Sequence, residues 1–201
     1  MGHEYYDNVL NRDVMEFSYR GDKWRFPKIL GERFEVSKLL AVSGFGALLV
    51  AKDKWIFNRK VLIKTGFLNK SELCTPNNAS LPELVKRINV QYVREQKFLL
   101  HGQMRHITGI PTLIDWMYDV SPMIRGPHTA VDGQQIYHDN PNCWQSVFYL
   151  VLSYFDGKQL DEYCRDKPKA IINKPTEFFR FLMFYLVDVL LALHRQQPLN
   201  A

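Results

Sequence analysis

The chain has 201 residues, 46% hydrophobic and 23% charged, with thirteen Phe and ten Tyr. That length supports one substantial core, or a small domain with part of another, and the aromatic content argues against disorder. The net charge of +5 would suit an acidic partner, but the 26 basic and 21 acidic residues are interspersed, without the Lys/Arg stripe that a nucleic-acid surface needs.

Cys74, Cys143 and Cys164 are odd in number and far apart, with no C-x-x-C pair. No disulfide framework or zinc site follows, and a cytoplasmic, reducing compartment is expected. His101 and His106 stand five apart, off the i, i+4 spacing of two ligands on one helix face, and read as structural. The opening MGHEYYDNVLNRD is polar and acidic, unlike a signal peptide, and Tyr6 stands where a myristoylation motif wants Ser or Thr. The apolar run from Phe178 to Leu193 is short for a membrane span and contains Arg180 and Asp188, so a deeply buried helix is expected and no transmembrane segment.

In chain order, residues 1–33 read as an extension whose aromatics, among them Phe17, Trp24 and Phe26, pack back on the body. From Phe34 the pattern is β-like: FEVSKLLAVS, a turn with Gly44 and Gly46, then ALLVAKDKW, together a hairpin. KVLIKTGF (60–67) predicts a third strand and NKSELCTPNNAS a loop. Leu81 to about His101 predicts a helix, with Pro82 in its first turn and Leu84, Ile88, Tyr92 and Leu99 at helical spacing. ITGIPTLIDWMYD predicts a strand, residues 120–145 a long loop, and SVFYLVLSYF (146–155) a central strand. Beyond the Asp156-Gly157 turn, Leu160–Asp166 predicts a short helix. Thr176 is expected to cap a long final helix, with Glu177 in its first turn.

This order sets a glycine turn beside a strand with an internal Lys, followed by a helix with an internal Glu. Physically it suits a nucleotide clamp. Backbone amides at a small-residue turn can approach phosphates, a strand Lys can neutralise them, and a helix carboxylate can hold that Lys.

AVSGFGALLVAKD (41–53), VLIK (61–64) and YLVLSYFDGKQLDEY (149–163) together resemble the glycine-rich loop, the V-A-I-K strand and the hinge of the eukaryotic-type protein kinase family. The resemblance covers residues 34–194. It implies an α+β fold, with an antiparallel five-stranded sheet plus one helix at 34–152 and the first helices of a helical lobe at 153–201. It makes Lys64 the phosphate-binding lysine and Glu95 its partner, with Glu83 as the fallback. Ala41, Ser43, Gly44, Phe45, Gly46 and Leu48 would form the loop and strand over the nucleotide. Leu62 would lie against adenine, Leu152 at the gatekeeper position, Ser153, Tyr154 and Phe155 at the hinge, and Gln159 near the ribose. ATP and magnesium are the implied cofactors, with the metal ligands outside this chain.

The pattern also departs from the family. Ala41 and Ser43 replace the first two loop glycines, and Leu62 replaces the Ala of V-A-I-K, which narrows the adenine pocket. The motifs H-R-D-x-x-x-x-N and D-F-G are absent, although HRQQPLN (194–200) echoes the first. Two functions follow as expectations. One is the nucleotide-binding front part of a Ser/Thr-type kinase, completed by a catalytic loop beyond these residues and acting on a protein substrate. The other is a non-catalytic kinase-like module binding a protein partner, with Ile136, Tyr137 and Trp144 of the long loop as contact candidates.

Overall fold

The structure is a computed structural model describing residues 2–8, 10–43, 46–66, 81–104, 106, 110–122, 128–129, 135–136, 144–156, 165–166 and 175–194. Its strands are β1 (His3–Asp7), β2 (Arg12–Tyr19), β3 (Asp22–Pro27), β4 (Ile29–Leu30), β5 (Phe34–Ser43), β6 (Gly46–Asp53), β7 (Arg59–Thr65), β8 (Leu113–Pro122), β9 (His128–Thr129), β10 (Gln135–Ile136) and β11 (Trp144–Ser153). Two long helices accompany them, α1 (Leu81–Met104) and α2 (Pro175–His194). The chain divides into two units: Met1–Phe98 with Leu113–Tyr154, and Leu99–Thr112 with Phe155–Ala201.

The expected α+β fold is corrected by this arrangement. The first unit holds a six-stranded antiparallel sheet in the order β4-β5-β6-β7-β11-β8, not five strands, and a second, three-stranded sheet β1-β2-β3. The described chain is mostly strand, and the architecture is not the protein-kinase-like one that the resemblance implied.

Much of the difference arises in the segment read as an N-terminal extension, whose described residues hold the β1-β2-β3 meander and β4. β2 and β3 meet through Arg20 (φ 52°) and Gly21 (φ 87°), two left-handed residues in a row with Tyr19 paired to Asp22. A two-residue hairpin needs that conformation so that its turn matches the strand twist. Val14, Phe17, Trp24 and Phe26 are all buried, and β2 and β3 lie against β5 and β8 of the larger sheet.

In the larger sheet, Val147 to Val151 of β11 are buried without interruption, as a strand covered on both faces should be. β5 shifts register against β6 twice, between Val36 and Lys38 and between Leu39 and Ala41. α1 crosses this sheet with Ile88 and Tyr92 buried against it. Gly66 permits the approach: a Cβ there would stand 2.3 Å from Ile88 Cγ2 and 3.0 Å from Tyr92 Cε2. Asn89 Oδ1 accepts the Phe148 N–H at 2.9 Å, one residue beyond the last β11–β7 pair, where the sheet ladder no longer satisfies it.

In the second unit, α2 begins at Pro175, a residue suited to a first helical position, so Thr176 lies inside the first turn rather than capping it. Its expected deep burial is not found. Phe179, Met183 and Phe184 are each more than half exposed.

Candidate functional site

The alternation of β7 explains where its lysine goes. Val61, Ile63 and Thr65 are buried on one face, which leaves Leu62 and Lys64 half-buried on the other. On α1, Ile88, Tyr92 and Glu95 follow one another at helical spacing, so the face that docks the helix also carries the carboxylate. The two elements meet at the charges: Lys64 Nζ donates to both Glu95 carboxylate oxygens, each at 2.7 Å. Lys64 Nζ also lies 5.6 Å from the Tyr92 ring centroid. Burial pushes the Tyr92 hydroxyl well above the usual tyrosine range, and the Glu95 charge adds to the effect, so Tyr92 stays neutral beside the pair.

Strand register places an apolar shelf around this cation. Lys64 sits between Leu48 and Leu150, Leu62 sits between Val50 and Leu152, and Leu48 is opposite Ala41. Directly opposed residues of antiparallel strands share a face, so Ala41, Leu48, Leu62, Lys64 and Leu152 come together. Ser43 pairs with Gly46 at the end of the hairpin, and its hydroxyl donates to the Gly46 carbonyl at 3.3 Å. Gly46 has φ +155°, and a Cβ there would stand 2.2 Å from the Thr65 carbonyl oxygen and 2.5 Å from the Tyr92 hydroxyl. Only glycine fits between the strand and the helix at this point.

The remaining expected residues are more dispersed. Ser153 ends β11 opposite Val61, and the Tyr154 ring lies 5.4 Å from Lys60 Nζ. Phe155 belongs to the second unit and is largely exposed. Glu83, the fallback partner, is exposed in the first turn of α1. Gly44, Phe45 and Gln159 lie outside the described residues, as does Tyr137. Grooves run along α1 between Lys86 and Arg94, and beside β2 between Arg12 and Asp119; neither includes Lys64.

Sequence reasoning missed two ion-pair centres that hold the surrounding scaffold. Arg33 donates to both Asp53 oxygens at 2.7 and 2.6 Å and to Asp115 at 2.7 Å, while Trp55 N–H donates to Asp53 at 3.2 Å. Arg12 donates to both Asp119 oxygens, at 2.6 and 3.1 Å, and Gly31 N–H donates to the same carboxylate at 2.9 Å. Arg33 and Asp53 are 20 residues apart and Arg12 and Asp119 are 107 apart, beyond the reach of any local pattern.

No protein-family model matches the chain, and no curated protein is similar enough in sequence to count as a relative. Among the described residues, no helix is long and apolar enough to cross a membrane.

Proposed function

We propose that the shelf around Lys64 binds ATP, and that the chain serves as the nucleotide-holding part of a protein-kinase-type phosphotransferase acting on a protein hydroxyl. The reading rests on the site rather than on the fold class, since one chemistry can be carried by unrelated folds. The observation that carries it is the symmetric grip of Glu95 on Lys64, across 31 residues of sequence, beside an apolar shelf. Both side chains are about one-third exposed, and a pair so exposed contributes at most about 1 kcal/mol to stability. Its value lies in holding an ammonium, already oriented, where phosphate oxygens can reach it.

In this reading Lys64 binds the α and β phosphates, Glu95 fixes its position, and Ala41, Leu48, Leu62 and Leu152 cover the base. No group of three or more His, Cys, Asp or Glu side chains that could hold a metal occurs among the described residues. In this reading these residues bind and position phosphate, and magnesium would arrive on the nucleotide. A charge-assisted contact is worth about 1.5–3 kcal/mol, so Lys64→Met should weaken MgATP binding by about ten- to a hundredfold in calorimetry. Unchanged affinity would remove Lys64 from the site.

Leu62 favours a second reading, a non-catalytic module that binds a regulatory protein partner. Its side chain stands between Val50 and Leu152 on the face where the base would lie. If Leu62 blocks that face, wild type fails to bind MgATP and Leu62→Ala binds it. If the shelf accommodates Leu62, both proteins bind.

A further inference from the structure

The turn between β6 and β7 carries a feature that nucleotide binding does not use. In the sequence KDKWIFNRK (52–60), Trp55 is 71% exposed, Ile56 39% and Phe57 100%. Three large apolar side chains in a row on a projecting turn are costly in water. The backbone adds to that cost, because Phe57 (φ 47°) and Asn58 (φ 55°) are both left-handed, a conformation that a bulky aromatic rarely adopts.

The turn is nevertheless firmly braced. Ile56 N–H donates to the Asp53 carbonyl at 3.2 Å, Arg59 N–H to the Ile56 carbonyl at 2.8 Å, and Lys54 N–H to the Arg33 carbonyl at 3.1 Å. The Arg33 guanidinium lies 4.9 Å from the Trp55 ring centroid. The apolar tip is therefore preformed and outward-facing.

Its collar is basic. Lys52, Lys54, Arg59 and Lys60 are all exposed. Asp53 and Asp115 are both engaged by Arg33, Arg59 also approaches Asp53 at 3.6 Å, and Glu35 stands opposite Lys52 in the ladder.

We propose that this turn is a membrane-surface anchor, which inserts Trp55, Ile56 and Phe57 among the headgroups of an anionic bilayer while its four cations bind lipid phosphates and carboxylates. Aromatic side chains favour the bilayer interface, and each nearby cation adds electrostatic attraction. A protein interface fits less well, since lysine is depleted at interface cores and here surrounds the tip. No membrane-spanning helix is required.

The test is flotation of the full chain with vesicles of phosphatidylcholine alone or mixed with phosphatidylserine. Binding is expected only to the mixed vesicles, falling about fivefold for each cation removed in Lys54→Gln and Lys60→Gln. The double variant Trp55→Ser, Phe57→Ser should abolish binding with an unchanged melting temperature. Independently of that variant, brominated lipid should quench the fluorescence of the wild type, and quench that of Trp55→Phe less. Absence of serine-lipid-dependent binding would overturn the proposal. So would binding that survives loss of the tip but disappears in the α2 variant Phe184→Ser, or a tip that drives only self-association in sedimentation.

Discussion

Arg33 ties the end of β6, the start of β8 and the turn after β6 to one guanidinium. Asp53, its main partner, has no solvent-exposed side-chain surface, although it lies shallow beneath the surface. Removing the Asp53 charge leaves the Arg33 guanidinium with Asp115 alone, so Asp53→Asn should cost about 2–3 kcal/mol in urea unfolding. The pH dependence has a definite sign. The Arg33 hydrogen bonds hold the Asp53 carboxyl below its ordinary value of 3.8. Its contribution is therefore fully present above about pH 4 and lost as pH falls through the lowered folded value. The urea midpoint of wild type should drop on acidification over that range by more than that of Asp53→Asn; parallel curves would refute the assignment. Gly46 makes a second residue-scale prediction. Gly46→Ala meets both backbone strain and the Thr65 carbonyl, and should cost at least about 2 kcal/mol by thermal unfolding.

At the scale of elements, the N-terminal meander is fastened to the larger sheet by Arg12 and Asp119. Asp119→Ala should raise amide exchange in residues 12–27 at least tenfold while leaving β11 protected; uniform exchange would show that the two sheets unfold together. This meander was hard to read because β2 is covered on both faces. Val14 and Phe17 are both buried yet three positions apart, so they point to opposite sides and blur the period of two. The Arg20-Gly21 turn was a readable signal, but without a clear flanking alternation it did not declare a hairpin. By contrast, the β5–β6 hairpin, β7 and α1 were legible from their apolar runs and helical spacing, and these elements carry Lys64 and Glu95. The fold class was not legible from them, because the extra strands β1–β4 pair with near neighbours within residues 3–35, where burial on both faces hides the alternation.

At the scale of the whole molecule, two of the exposed apolar surfaces among the described residues predict different behaviour. On α2, Phe179, Met183, Phe184, Leu186 and Val187 are each 40–64% exposed, a face of the kind that drives association. Sedimentation velocity should show concentration-dependent self-association, reduced in Met183→Ser, Phe184→Ser; a monodisperse monomer at all concentrations would contradict this. The Trp55 turn differs in character, being small, braced and basic. The proposed nucleotide site would lie in the first unit, on strands and a helix rather than on loops, which would suit a fixed phosphate grip.

The central claim is that Lys64 reads phosphate while the apolar shelf reads the base. Calorimetric titration with adenosine, ADP and MgATP, on wild type and Lys64→Met, separates the two contributions. The account predicts that wild-type affinity rises with phosphate number, that this rise flattens in Lys64→Met, and that adenosine binds both proteins equally. An equal rise in both proteins, or no nucleotide binding by either, would contradict it.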